Sequence, residues 1–490
     1  MKFNDRWLFV LLGFSCLLHF SFLGWGVPDH QRTSLVLTEE QRNEEFYGRL
    51  ARARDALYEN FKWANPTANE GYARKHGLPV KDVLDEGGTK DFLLNSLGSY
   101  LVRSLDSDEQ KIFVALAGLK SGKDGNWIPA PSHYGGAYLY PLAVILKATQ
   151  VVGLLDLVPD ITYYYAHPNK MGDIYLVSRI LSAAAGVASV AAVYSLALML
   201  FGVPCARWSA FFWATSPLVY SMTHVAKPHM FGALFAIGCL YYAVIIYEHG
   251  IDRRYIGAGL CAGLAVGSVL NTAPYVLALP AAHIARALRR KEGFLNIVAD
   301  KTMWALVAVA VVVFLVTNPW VTFRFQEWYY TTVGIFLTSG ELATLAGESR
   351  GFSLSILPRF VRVSLLPALN VFAVPLALIG LVSASRSRDA RVKFFGGFFM
   401  FVLTCFSFAY YKEGSGSAST GRHFLPGIAM MAIFAGFAIS RVWISRSALL
   451  SGGIRAAVAG CCLVTSVYYC GVYAMDTPAQ ATYMLAGRWI

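Results

Sequence analysis

Charged residues are scarce in this sequence: they make up 15% of its 490 residues, whereas hydrophobic residues make up 56%. A chain with so few charges cannot fold as a water-soluble globule, because its apolar surface exceeds what one core can bury. The scarcity of charge therefore excludes a soluble enzyme and predicts an all-α polytopic membrane protein.

Several motifs of soluble enzymes are also missing. The chain has no P-loop, no G-x-G-x-x-G after a strand and no G-x-S-x-G elbow, which argues against soluble nucleotide use and serine hydrolysis. Its eight cysteines include no C-x-x-C pair and no metal-ligand spacing, and most lie within apolar runs. We interpret them as inert thiols of the membrane core.

Long apolar runs are what the sequence has instead. A helix needs about 20 residues to cross the hydrocarbon layer, and we predict eleven such spans. They lie at residues 7–25, 174–201, 207–223, 230–247, 256–271, 274–288, 303–318, 364–384, 395–411, 424–441 and 448–474. The first run is too long for the apolar part of a cleaved signal peptide and no A-x-A site follows it, so we predict a retained signal anchor.

The basic residues determine the predicted topology. A net charge of +12 does not indicate a nucleic-acid partner, because in a membrane protein the positions of Lys and Arg matter more than their sum. With a cytoplasmic N-terminus, the eleven spans place five basic connections in the cytoplasm: Arg207 and residues 251–255, 285–293, 385–393 and 441–447. This agreement with the positive-inside rule supports the span count.

The non-basic connections are predicted to lie outside. We expect a single transmembrane domain over residues 1–490, with a large first external loop at 26–173 that contains juxtamembrane helices and a second external loop at 319–363. Residues 134–158 form a further apolar segment. Counting it as a span would place the later basic turns outside, so it is predicted to be a juxtamembrane or re-entrant helix.

Two external segments combine polar groups that suit catalysis or phosphate binding. Asp29 and His30 follow the first span, where a carboxylate can act as general base toward a hydroxyl substrate, although a polar turn that ends a helix is the alternative. Lys227 and His229 lie in HVAKPHM, residues 224–230. An external lysine breaks the positive-inside trend. Its role is either phosphate binding or snorkelling to lipid headgroups.

Two further external segments complete the candidate site. Arg422 and His423 begin a span at its outer end, where a guanidinium suits phosphate oxygens and interfacial anchoring is the alternative. His133 and Tyr134 open the 134–158 segment, where an interfacial aromatic belt is the simpler interpretation. The spacing of the external histidines is not diagnostic of a metal site. The sequence therefore identifies no cofactor and leaves open whether a divalent cation binds.

The order of these segments resembles the GT-C superfamily of membrane glycosyltransferases, in the branch of protein O-mannosyltransferase-like and aminoarabinose-transferase-like enzymes. The segments that carry the resemblance are PDHQR after the first span, HYGGAYLYPLAVILK, SRILSAAAGVASVAAVYSLALMLFG (178–202), ATSPLVYSMTHVAKPHM (214–230), VTNPW and RHFLPGIAMMAIFAGFA. This resemblance implies a GT-C-like fold, a sugar donor carried on a polyprenyl phosphate, and Asp29 as catalytic base. The chain departs from the family at two positions. Many relatives have a second acid after the first span, where this chain has His30, and relatives often have an acid after the A-R-P-like turn, where this chain has His229.

The function predicted from this resemblance is transfer of a sugar from a polyprenyl-phosphate donor to a hydroxyl acceptor on the extracytoplasmic face, with inversion at the anomeric carbon. Lys227 and Arg422, with His423, would stabilise charge on the departing phosphate, and His30, His133, Tyr134 and His229 would bind substrate. The alternative is a transporter or flippase of lipid-linked sugars, which would more often show repeated halves and charges within spans.

The expected partners are the lipid-linked donor, membrane lipid and a hydroxyl-bearing acceptor that the sequence leaves open as glycan, lipid or protein; no nucleic acid is expected. The external loops contain no N-x-S/T site with a permissive middle residue, and no organelle retention signal is present. We therefore expect a bacterial inner membrane.

Overall fold

The structure of the chain is a computed structural model that describes residues 5–61, 86–106, 108–119, 134–250, 252–325, 328–329, 361–370, 372–413, 418–441 and 448–475. All regular secondary structure within these ranges is helical, as the composition predicts. His133 lies outside the described residues, so its predicted role stays a prediction.

The α-helices fall into three groups along the chain. Those before the first long helix are α1 Arg6–Phe20, α2 His30–Val36, α3 Glu44–Phe61, α4 Glu86–Val102, α5 Glu109–Ala117, α6 Gly136–Val151 and α7 Ile161–Ala166. The middle group is α8 Pro168–Phe201, α9 Val203–Ala214, α10 Pro217–Thr223, α11 His229–Glu248, α12 Asp252–Ser268, α13 Ala273–Val276, α14 Ala278–Arg289, α15 Phe294–Val298, α16 Lys301–Thr317 and α17 Trp320–Phe323. The last group is α18 Leu366–Leu369, α19 Ala373–Ser385, α20 Ala390–Glu413, α21 Leu425–Arg441 and α22 Ala448–Met475. Short 3-10 helices cover Leu270–Thr272 and Ala418–Phe424, and a π-helix covers Val361–Leu365.

Within the described ranges, five helical segments are long and apolar enough to cross a membrane: Pro168–Phe201, His229–Glu248, Phe294–Thr317, Gly421–Arg441 and Gly452–Val472. Each of the eleven predicted spans has a helix or a pair of helices at its position. The predicted spans 207–223, 274–288 and 364–384 are each divided, because one helix ends and another begins between α9 and α10, between α13 and α14, and between α18 and α19. The count of eleven therefore stays a prediction.

The segment at 134–158 forms α6, whose 16 residues are fewer than the roughly 20 that a span needs. Its buried face packs into a hydrophobic core with α3, α5 and the first half of α8, through residues such as Leu50, Ile112, Leu142 and Ile174. A second and larger core surrounds α9, α11 and α21. The helices between α1 and α8 thus pack against the first half of α8, and α6 also contacts α12 and α16.

Four of the predicted basic turns meet at one end of the bundle. Arg207 binds Asp5 just before α1, with 2.8 Å between Nη2 and Oδ1, and this hydrogen bond lowers the pKa of Asp5 to about 2. Arg391 binds Glu248 at the end of α11, with 3.2 Å between Nη1 and Oε1. Arg286 of α14 donates to the main-chain oxygen of Gly250 at 3.5 Å. The grouping agrees with the predicted topology, while the membrane side that these turns face stays a prediction.

Candidate active site

A buried ion pair holds together three segments at the opposite end of α8. Arg179 of α8 and Glu109 at the start of α5 are both fully buried, with 2.9 Å between Nε and Oε1 and 2.7 Å between Nη2 and Oε2. Arg179 also donates to the main-chain oxygens of Leu23 and Trp25, and Glu109 accepts from the main-chain N–H of Ala226. The exit of α1, the loop before α5 and the turn before α11 are therefore joined at one point.

The same loop places two carboxylates against two predicted site cations. The Lys227 ammonium lies 2.7 Å from Asp106 Oδ2 and 3.4 Å from Asp108 Oδ2. Arg422 Nη1 lies 3.0 Å from that same Asp108 Oδ2. We call these four residues the cation cluster. Lys227 is 2% exposed, so its charge is compensated mainly by these carboxylates rather than by water.

Aromatic rings adjoin the cation cluster. Arg422 Nε donates to Nε2 of His423 at 3.3 Å, and the His423 ring stacks on that of His229 with 5.5 Å between centroids. Tyr134 meets His229 edge to face at 6.0 Å. These five predicted residues, Tyr134, Lys227, His229, Arg422 and His423, come together although they lie on three separate segments.

Close backbone packing positions Tyr134. A Cβ on Gly135 would lie 1.9 Å from the main-chain oxygen of Gly267, and one on Gly136 would lie 1.9 Å from that of Thr317. The N–H of Gly136 donates to Oδ1 of Asn318 at 3.0 Å, which ties the start of α6 to the end of α16. Only glycine fits at 135 and 136, and this close approach sets the tyrosine beside His229.

Local charge and burial shift the acidity of two groups in this site. Partial burial alone would raise the pKa of the Asp108 carboxyl, but Lys227, Lys111 and Arg422 together hold that pKa well below its usual range. Burial raises the pKa of the Tyr134 hydroxyl. At neutral pH the site therefore contains an ionised Asp108 and an un-ionised Tyr134.

Asp29 lies beside this assembly and caps α2. Its Oδ1 accepts from the main-chain N–H of Arg32 at 2.6 Å, and the side chain is half-buried. The exposed His30 donates its main-chain N–H to Oδ1 of Asn169 at 2.8 Å. Within the described residues no ion pair joins Asp29 to Lys227 or to Arg422. The carboxylates that contact the cations are those of the loop before α5.

Contacts along α8 measure the separation between Asp29 and the cation cluster. The main-chain oxygen of Pro28 approaches Gly172 closely, and Ser182 donates to the main-chain oxygen of Lys227 at 3.4 Å. At a rise of about 1.5 Å per residue, Gly172 and Ser182 are about 15 Å apart along the helix. The Lys227 side chain extends to Asp106, and the adjacent Leu105 binds the main-chain oxygen of Gly26 at 2.9 Å. The loop at residues 105 and 106 therefore links the chain just before Asp29 to the cation cluster.

Asp106, Asp108, Glu109 and Arg179 were not among the predicted site residues. The signal that could have revealed the acids is SLDSDEQ at residues 104–110, three carboxylates between two apolar helices. Arg179 was part of the SRILSAAAGV segment, where a charge within an apolar run indicates a function or a buried partner. Within the described ranges, no three His, Cys, Asp or Glu side chains are arranged as ligands of one metal ion.

Residues 171–323 match the sequence model of a family described as dolichyl-phosphate-mannose-protein mannosyltransferase. No curated protein sequence matches the chain significantly. The family match agrees with the resemblance to the GT-C superfamily and covers α8 to α17, including the turn that contains Lys227. Together with the five long apolar helices, it identifies an integral membrane protein.

Solved structures of two kinds are similar to the chain. The apo oligosaccharyltransferase from Archaeoglobus fulgidus is 12% identical, with 75% of this chain and 52% of that chain covered and a TM-score of 0.45. ArnT from Cupriavidus metallidurans is 16% identical in the apo state, with 78% and 73% covered and a TM-score of 0.46, and ArnT bound to undecaprenyl phosphate gives a TM-score of 0.41. The chain spans about half the length of the archaeal structures. At TM-scores below 0.5, these likenesses carry no argument about activity.

Proposed function

We propose, from the family match over residues 171–323 and the geometry of the cation cluster, that this chain transfers a sugar from a polyprenyl-phosphate donor to a hydroxyl acceptor. The family name contains a donor of this kind, a sugar on a lipid phosphate. We place the reaction on the extracytoplasmic face of a bacterial inner membrane, with the N-terminus in the cytoplasm. This placement is supported by the position of the basic turns at the end of the bundle away from the site.

The observation that carries the proposal is that Lys227 and Arg422 contact the same carboxylate oxygen, Oδ2 of Asp108. Two cations that reach one oxygen atom can both reach the oxygens of one phosphate, and such charge-assisted contacts are strong in a partly dry site. Asp108 stands in the unliganded protein where negative charge is favoured. A donor phosphate would take over some of its contacts.

In the proposed mechanism the acceptor oxygen attacks the anomeric carbon in line with the departing phosphate. The acceptor O–C bond forms as the C–O bond to the phosphate breaks, and the electron pair of that bond goes to the phosphate oxygen. Asp29 takes the proton of the acceptor hydroxyl, while Lys227 and Arg422 stabilise the charge that develops on the lipid phosphate. A single displacement of this kind inverts the anomeric carbon.

The surrounding polar rings have supporting roles in this proposal. His423 orients Arg422 through the 3.3 Å contact, and His229 and Tyr134 form a wall against which a sugar ring can lie. His30 would bind substrate near Asp29, and a substrate-binding role is kept for His133, which lies outside the described residues. Binding of the donor from within the bilayer requires no nucleotide site, because the lipid already confines the sugar to the membrane.

The test is sugar transfer by the purified full-length chain from a panel of polyprenyl-phosphate sugars, followed by mass spectrometry of the products. We expect Lys227→Gln and Arg422→Gln to lower turnover strongly, while Arg49→Gln on the exposed face of α3 serves as the matched control. Full turnover by both cluster variants would refute the phosphate-binding role. Movement of the donor across a vesicle membrane without any new glycosidic product would instead favour a flippase.

A further inference from the structure

A cavity of about 500 Å³ lies between α2 and α4, and its lining includes no residue of the cation cluster. Its volume is in the range of small-molecule sites. None of the eight described residues that line it is acidic, and two are arginines. The polar side chains on its wall are those of Arg32, Arg103, Asn95, Ser96, Ser99 and Ser104.

Within the described part of the chain, Arg103 has no ion-pair partner. Its Nε is buried without a hydrogen-bond partner, and among the described residues no carboxylate pairs with its guanidinium. Burial lowers the pKa of this side chain, and the groups that oppose this effect are the hydroxyls of Tyr175 and Tyr165 rather than an acid. A guanidinium stays charged under these conditions, so its burial without an anion is unfavourable.

Arg32 is a second cation of the cavity and is held rigidly. It is 3% exposed, and it donates from Nη1 to the main-chain oxygen of Arg103 at 2.7 Å and from Nη2 to that of Tyr100. Its guanidinium lies over the Tyr100 ring at 4.1 Å, and its Nε is buried without a partner. These contacts hold the Arg32 guanidinium beside the main chain of Arg103, so an anion would not have to order it.

The cavity adjoins Asp29. The main-chain N–H of Arg32 binds Oδ1 of Asp29 at 2.6 Å, and Leu105, which lines the cavity, binds the main-chain oxygen of Gly26 at 2.9 Å. A ligand whose anionic group meets the two arginines would therefore have its neighbouring hydroxyls near the Asp29 carboxylate. Short polar side chains such as Ser99 and Asn95 on the wall favour a hydroxylated ligand over an apolar one.

We propose that this cavity binds the anionic part of the acceptor, a sugar or polyol that carries a carboxylate or phosphate, with Arg103 and Arg32 as its counter-ions. The assignment of this ligand as acceptor rests on the proposed sugar transfer. Binding itself does not, because it requires only the cavity and its two unneutralised cations.

The test is ligand binding to the full-length chain in a neutral detergent, with no donor present. Thermal unfolding midpoints are measured with sodium glucuronate, glucose 6-phosphate or glucose at constant ionic strength, and in micelles that contain phosphatidylglycerol or phosphatidylcholine. We expect the anionic sugars to raise the midpoint and glucose to leave it unchanged. Apparent affinity should fall at least tenfold in Arg103→Gln and stay unchanged in the control Arg49→Gln.

The different ligands and variants in this experiment distinguish binding of a soluble anion, binding of a lipid headgroup and the absence of binding at Arg103. A response to phosphatidylglycerol alone that requires Arg103 supports the same site with a lipid headgroup as its source. Equal responses of the wild type and Arg103→Gln, or no response to any anion, would overturn the proposal. If Arg103→Gln does not fold, Arg103→Lys keeps the charge but loses the planar fork, and it should bind at least several-fold more weakly than the wild type.

The same measurements keep this proposal separate from the proposed reaction. Binding that depends on Arg103 in a chain that transfers no sugar leaves the cavity assignment standing and refutes the reaction. Normal sugar transfer with no Arg103-dependent binding refutes the cavity assignment alone.

Discussion

The buried pair of Arg179 and Glu109 provides a sharp test of how this site is held together. Arg179→Met removes the guanidinium and leaves the Glu109 carboxylate with only Ser104 and the main-chain N–H of Ala226 as donors. Glu109→Gln keeps the size of the side chain but removes the negative charge, so the Arg179 cation keeps two main-chain oxygens and at most one neutral amide oxygen as acceptors. Each change leaves one buried charge without its partner.

The expected loss of unfolding free energy is large because both side chains are fully buried. Removal of one partner of a buried ion pair costs about 3–5 kcal/mol, since the remaining charge is neither hydrated nor neutralised. The double variant Arg179→Met/Glu109→Gln contains neither charge. We therefore expect its loss of unfolding free energy to be smaller than the sum of the single losses by about 2 kcal/mol or more.

The assay is the free energy of unfolding of the purified full-length chain in mixed micelles, measured for the wild type, both single variants and the double variant. Arg54 and Asp55 on α3 provide a matched control cycle, because that pair is 43% and 61% exposed and should couple by less than about 1 kcal/mol. Additive losses at Arg179 and Glu109, within about 0.5 kcal/mol, would refute the reasoning.

Three further predictions follow from single residues. Asp29→Asn keeps a good helix cap but cannot accept a proton, so turnover should fall by about 10²–10⁴ with little change in the unfolding midpoint; normal turnover would exclude Asp29 as the base. Gly136→Ala should lower the unfolding midpoint clearly, because the new Cβ meets the main-chain oxygen of Thr317, whereas Gly24→Ala has open space and should be neutral; equal midpoints would contradict the close packing. The depressed pKa of Asp108 contributes stability above its unfolded-state pKa, near 4, that is lost as pH falls through the lower folded-state pKa. Unfolding midpoints measured against pH should therefore separate the wild type from Asp108→Asn at neutral pH and converge in acid, and a constant difference would contradict this.

The resemblance to the GT-C superfamily implies a second acid after the first span, at the position of His30, and the structure has carboxylates on another segment. The side chain of His30 is exposed. Here Asp106 and Asp108 supply carboxylates to the cations from a different loop. Glu109 fixes this loop to Arg179, which also holds the exit of α1. An acid at residue 106 or 108 therefore contacts the cations of the cation cluster, although residue 30 is not acidic.

The sequence by itself determined the helical membrane architecture and most of the residues that meet at the site. Spans are visible because a bilayer requires a continuous apolar run for each helix, and this is a local property of the chain. The basic turns are likewise local, and Arg207 and Arg391 lie at the end of the bundle that their positions predict. Lys227 and Arg422 were recognisable as external cations at span ends for the same reason.

Only the tertiary structure decided which of these groups are partners. Arg422 and Asp108 are 314 residues apart, and no local pattern encodes their 3.0 Å contact, because it depends on how α5, α11 and α21 pack at one end of α8. Among the described residues no carboxylate pairs with Arg103, and this is equally invisible in the sequence, since it depends on how the side chains are arranged in space. Such pairing matters energetically because the charges are buried. A charge removed from water is stabilised only by the counter-ions and polar groups that the fold places next to it.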